Sequence, residues 1–190
     1  MAGTWLPGIV EKFNHEFPDI TVNIQTGTVA ELYGGLDEGR YDVCFGTKNA
    51  KYDFKWFPLD NDRFYAILQK DYPVEGDEFH ISRFNGTKFL MPGLGFDDDI
   101  SAVFSLNNVR PFVTPTYVDD PAIISMVEHG LGISMLSELI ITGRADGVKV
   151  LPIVPEVSRT LALAVKEDKI LTLPLKRLVA ITKEYAKSKR

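Results

Sequence analysis

The stretch Asp120-Pro-Ala-Ile-Ile-Ser-Met-Val-Glu-His-Gly-Leu-Gly-Ile-Ser-Met-Leu-Ser137 decides the fold class. Ile123, Ile124 and Val127 recur at helical spacing, so the first half reads as a short helix. Gly130 stands where a helix ends in a left-handed residue. Gly132 to Leu136 then reads as a small buried strand, and Ser137 as a new polar cap. The whole is one αβ step of a sheet wound with helices.

The same cadence is legible on either side. Leu6, Ile9, Val10 and Phe13 share one helix face, with Thr4 as the expected cap and Pro7 tolerable in the first turn. Pro18 closes that segment, and Ile20, Val22 and Ile24 alternate with polar residues as a strand. Thr28-Val-Ala-Glu31 is a capping-box pattern opening a helix that Gly39 ends. Tyr41 to Gly46 reads as a strand, so the opening part runs helix, strand, helix, strand, the pattern of a parallel sheet. Strands are expected at Phe57–Leu59, Arg63–Gln69, Lys88–Met91, Phe112–Val118, Val148–Val154 and Thr160–Lys166. Helices are expected over Asp97–Leu106 and from Thr172 to the basic C-terminal tail.

The cadence occurs twice, which predicts an α/β protein of two Rossmann-like lobes around a central cleft. The first lobe is expected to hold 1–67 plus 160–190 and the second 68–159. The chain would cross between them near Ala66–Lys70 and near Ser158–Ala162.

Composition narrows the function classes. The chain has 190 residues, 45% hydrophobic and 25% charged, enough for a sizeable core. A net charge of −5 argues against this part gripping a phosphate backbone. A single cysteine, Cys44, forms no disulfide within the chain. No apolar run reaches spanning length, and no signal peptide is visible, so the expected location is the cytoplasm, away from membranes. The chain enters its first helix without a preceding strand, as expected of a piece of a longer protein.

Chemistry is sparse. His15, His80 and His129 have no metal-binding spacing, and no metal or cofactor is expected. Gly93-Leu-Gly95 lacks the third glycine of a dinucleotide fingerprint, and no serine sits in a nucleophile elbow. Asp97-Asp-Asp99 reads as a helix opening, with Asp98 and Asp99 complementing the helix dipole. Cys44 lies in an apolar strand and reads as an inert buried thiol. These features point away from catalysis.

What remains is a set of polar and glycine positions where strands give way to helices. In open α/β sheets the ligand crevice forms at the carboxyl ends of the strands, beside free helix N–H groups. The expected ligand positions are Thr4, Thr26, Thr28, Gly46 and Thr47 in the first lobe. In the second they are Gly93, Leu94, Asp97, Asp119 and Ser137. Each type also serves as an ordinary cap or turn former, so the expectation rests on their convergence.

Three stretches together carry a family resemblance: Leu6-Pro-Gly-Ile-Val-Glu-Lys-Phe-Asn-His-Glu-Phe-Pro-Asp-Ile-Thr-Val22, Gly39-Arg-Tyr-Asp-Val-Cys-Phe-Gly46 and His129-Gly-Leu-Gly-Ile133. The whole chain resembles the effector-binding domain of LysR-type transcriptional regulators. That resemblance implies a fold like type II periplasmic binding proteins, a small-molecule effector and side-by-side homodimers. It also implies DNA contact only through an N-terminal winged helix-turn-helix, which this sequence lacks along with the domain's usual first strand. Two departures stand out: Ser137 replaces a common proline, and Asp97-Asp-Asp99 replaces small or basic residues. Acidic groups at Asp97 and Asp119 repel a carboxylate effector unless other groups compensate, which makes an amine, an amino acid or a polyol worth testing. The competing readings on the same scaffold are a dehydratase-type enzyme, whose Thr-Arg-Phe motif is missing, and a free solute-binding protein.

Overall fold

The computed structural model describes residues 5–92, 98–115 and 118–189. Its elements run α1 Leu6–Glu16, α2 Val29–Asp37, β1 Cys44–Thr47, β2 Phe54–Leu68, β3 Phe79–His80, a 3-10 turn Ile81–Phe84 and β4 Lys88–Met91. They continue with α3 Asp98–Leu106, β5 Phe112–Pro115, α4 Asp120–Glu128, β6 Ser134–Ser137, α5 Glu138–Ile141, β7 Lys149–Val154, β8 Ser158–Lys166 and α6 Leu173–Lys187. The chain forms two compact units, Met1–Asn61 with Thr160–Arg190, and Asp62–Arg159. It passes from one to the other inside β2 and again inside β8. The lobes drawn from the sequence put the first exchange six residues later, between 67 and 68.

In unit 1, β1 pairs antiparallel with β8, Cys44 opposite Ala164 and Thr47 opposite Leu161. The ladder is not the parallel one that the helix–strand cadence predicts, because the neighbour of β1 is a strand returning from far along the chain. Helix α1 buries Ile9 and Phe13, and Arg177 of α6 clamps Glu16 through Nε at 2.7 Å and Nη2 at 2.8 Å. Below α2 lies an aromatic cluster of Tyr33, Tyr52, Phe54 and Trp56, with Tyr33 edge-on to the other three.

The strand expected at residues 20–25 does not form. Residues 21–28 carry no regular structure, and Ile20 and Ile24 are 38% and 52% exposed. Alternation alone does not make a strand; it needs a hydrogen-bonded neighbour, and no described ladder includes this segment. The two short strands expected between 57 and 69 are instead one strand of 15 residues, β2. Three short elements were invisible to periodicity: β3, the 3-10 turn and α5. They are too short to show a period.

Unit 2 is built on β2, which pairs antiparallel with β6 through Phe64–Ser137 and with β7 through Tyr65–Pro152. Strand β3 runs parallel to β7, and β4 parallel to β5. Phe79, Phe84, Phe89 and Phe104 fill the core between β4 and α3 at ring separations of 4.8–5.6 Å. The opening motif behaves as its residues dictate. Helix α4 buries Ile123, Ile124 and Val127, and Gly130 ends it at φ +72°. Gly132 lets β4 approach: a Cβ there would meet the Lys88 carbonyl oxygen at 2.9 Å. Three bonds then join the segments, Leu90 N–H to the Ile133 carbonyl, Ile133 N–H to the Lys88 carbonyl and Ser134 Oγ–H to the Leu90 carbonyl.

Candidate functional site

In unit 1 the expected residues occupy two places. Thr26 is exposed in the segment leading into α2 and lines a depression of about 260 Å³ with Gln25, Gly27, Glu31, Arg40 and Tyr41. Thr28 is the N-cap of α2. Its N–H and hydroxyl both donate to Glu31 Oε2 at 2.8 Å, and its Oγ accepts from the Glu31 N–H at 3.3 Å. The Thr28 N–H holds the Glu31 carboxyl below its ordinary pKa. The capping box is complete, so Thr28 acts here as a cap.

Gly46 and Thr47 end β1 above Tyr33. The Tyr33 hydroxyl donates to the Thr47 carbonyl at 2.7 Å. A Cβ on Gly46 would collide with that same hydroxyl. The glycine therefore makes room for a tyrosine, and the tyrosine fixes the strand end that presents Thr47. Cys44, two residues earlier, donates its thiol to the Leu32 carbonyl at 3.3 Å, and burial pushes its pKa up to about 11. A thiol so protonated is a poor nucleophile.

In unit 2, Asp119 is exposed and caps α4, its Oδ1 accepting from the Ala122 N–H at 3.1 Å. Ser137, the last residue of β6, is fully buried and does not cap α5 with its side chain. Its Oγ accepts instead from Arg159 Nη2 at 3.0 Å. That arginine was missed by reading the sequence, and it organises this face. Its Nε donates to Asp62 Oδ2 at 3.0 Å, and its Nη1 lies 3.4 Å from Asp99 Oδ2. Its guanidinium carbon sits 5.3 Å from the centre of the Phe64 ring. Asp62 is buried, and its other oxygen accepts the Leu139 N–H at 3.0 Å in the first turn of α5.

Asp99 therefore does more than open α3; it joins an ion network spanning β2, α3, β6 and β8. Asp120 stands close enough to feel Arg159: burial raises its carboxyl pKa, and the guanidinium partly offsets that. Thr4, Gly93, Leu94 and Asp97 lie outside the described residues. The described residues hold no group of three His, Cys, Asp or Glu side chains placed for a metal ion. No described helix is long and apolar enough to cross a membrane.

The family model for the LysR substrate binding domain matches residues 1–187. The chain belongs to that family. The uncharacterised HTH-type transcriptional regulator YybE of Bacillus subtilis is 21% identical over 168 residues, covering 86% of this chain and 58% of that protein. The chain thus spans rather less than two thirds of the relative's length. The regulatory domain of CcmR from Synechocystis PCC6803, solved with 2-PG, superposes with a TM-score of 0.83 at 20% identity, covering 98% and 93% of the two chains. The effector binding domain of QuiR, solved with shikimate, gives 0.82 at 21% identity, covering 99% and 93%. At such identities these structures speak for the fold, the two-lobe form of the periplasmic-binding-protein class.

Proposed function

We propose that this LysR substrate binding domain senses a small molecule on behalf of a DNA-binding transcriptional regulator. Family membership across residues 1–187 carries the reading. The bound molecules in the CcmR and QuiR structures support it by analogy. In the intact protein the two lobes join an N-terminal winged helix-turn-helix, pair as a homodimer and act in the cytoplasm, where the DNA is. Thr26 and Thr47 in unit 1, and Asp119 and Ser137 in unit 2, contribute to effector binding. Thr28 and Gly46 support it as cap and spacer.

The domain performs no catalysis of its own. Supporting this, the main ionisable cluster of unit 2 commits its groups to one another: Asp62 binds Arg159 and a backbone N–H, and Arg159 binds two carboxylates and a hydroxyl. Binding a ligand then acts by shifting a conformational equilibrium that the DNA-contacting part reads.

Thermal denaturation of the domain across a metabolite library tests the reading, since a bound ligand raises apparent stability by mass action. The expected result is one chemical class that raises the melting temperature, is recovered unchanged and alters DNA binding by the full-length protein. A folded domain that no class stabilises, or one that consumes its ligand, would overturn it.

A further inference from the structure

We propose that Asp62 and Arg159 form a staple that turns the chain's two crossings between the units into one mechanical element, the route by which effector binding is passed on. Both residues stand where the chain crosses. Asp62 is the first residue of unit 2 on β2, and Arg159 is the last before β8 enters unit 1. At their unit-2 roots three links tie the two segments together. Asp62 Oδ2 accepts from Arg159 Nε at 3.0 Å. Arg63 Nη2 lies 2.7 Å from Glu156 Oε2. The Phe64 N–H donates to the Val157 carbonyl at 2.9 Å. Successive side chains on a strand point to opposite faces, so the Asp62 and Arg63 pairs stitch the ribbon from both sides.

The two stitches differ in strength. The Arg63 and Glu156 side chains are 43% and 54% exposed, so water and salt screen them. Those of Arg159 and Asp62 are 17% and 2% exposed, where parting them strands a charge in a low dielectric. The buried stitch is also rooted in unit 2. Asp62 Oδ1 accepts the Leu139 N–H at 3.0 Å, and Arg159 Nη2 donates to Ser137 Oγ at 3.0 Å. One crossing segment cannot slide along the other without breaking this pair, since a shift of one residue moves opposed groups by about 3.3 Å. Bending of the ribbon then falls outside the stapled stretch, and the two exits of unit 2 move together. A sensor needs such coupling, because an event at the ligand must reach the DNA-contacting part. That consequence rests on the sensing role argued above; the staple itself belongs to unit 2 and is tested without a ligand.

The test applies native-state hydrogen exchange, urea denaturation and spin-label distances to the whole 190-residue chain. The labels sit on exposed positions, Glu11→Cys in unit 1 and Asp146→Cys in unit 2. Cys44 is buried and stays unlabelled. Arg159→Gln should speed exchange of the Phe64 amide about tenfold or more relative to the Leu90 and Ile133 amides, whose bonds lie along β4. It should also broaden the distribution of distances between the labels. Asp62→Asn, which keeps the shape and removes the charge, should act in the same direction and serves where Arg159→Gln does not fold. Arg63→Gln, at the screened stitch, should change the Phe64 amide by less than about twofold. Equal acceleration of all three amides, in step with the loss of global stability, would make the pair a structural contact alone and sink the proposal. An unchanged Phe64 amide or an unchanged distance distribution would sink it too. None of these results touches the sensing role, which fails separately when no metabolite class stabilises the domain.

Discussion

The two units hold their candidate residues by different means. In unit 1 the tethers are short in sequence: Thr28 is tied to Glu31 three residues on, and Thr47 to Tyr33 fourteen residues back. In unit 2 Asp119 is likewise tied to Ala122 three residues on, but Ser137 belongs to a long-range network: its partner Arg159 reaches Asp62 across 97 positions and Asp99 across 60. The short tethers are exposed or part-buried backbone contacts; the long ones are charged and close around a buried carboxylate. A capping box is worth little and fails locally, whereas an ion network in low dielectric is costly to break, because each partner left behind is an unpaired charge. The polar part of unit 2 should therefore be the stiffer and the more sensitive to mutation.

The contrast is most easily broken at Arg159. Arg159→Ala should cost about 3–5 kcal/mol, since it strands Asp62 in a buried position. Urea denaturation measures this, and a loss under about 1 kcal/mol would mean that the network does not stiffen unit 2. Next comes Gly46→Ala in unit 1, expected to cost about 1–3 kcal/mol through the clash with the Tyr33 hydroxyl. The cost should shrink in a Tyr33→Phe background, and an additive double-mutant cycle would show that the two do not touch. Thr28→Ala should cost about 1 kcal/mol by opening the N-terminus of α2.

A smaller effect should appear at Asp120. Its folded-state pKa is raised above 3.8, so the favourable protonated form contributes fully below that value and is lost as pH rises through the folded value. Asp120→Asn should therefore match the native domain in acid and exceed it in melting temperature toward neutral pH. An advantage confined to low pH would reverse the assigned cause. Ile24→Thr should change stability least, within about 0.5 kcal/mol, because its side chain is already half exposed.

Legibility in the sequence followed the same divide. The longer helices, the Gly130 stop and the Thr28 box were readable, because each is written within a few residues; Asp119, read as a ligand position or turn former, caps α4 in the structure. The strand at 20–25 was misread because alternation describes a surface and says nothing of a neighbour to pair with. Ser137 was read as a polar cap, but its side chain does not cap α5 and accepts from Arg159 instead. Arg159 carried no local mark beyond being a lone cation at the start of an apolar strand. Asp99 was read as a helix opener and turned out to be an ion-pair partner as well.

By itself, the sequence determined the α/β class and the αβ step at Asp120–Ser137, because periodicity and capping act over one or two turns of chain; the family was carried by the resemblance of its longer stretches. Only the tertiary structure decided that β1 pairs with β8, that Gly46 yields space to Tyr33, and that Arg159 gathers Asp62, Asp99 and Ser137. Those contacts join residues far apart in the chain. Their energy comes from burial and desolvation, which exist only once the chain has closed on itself.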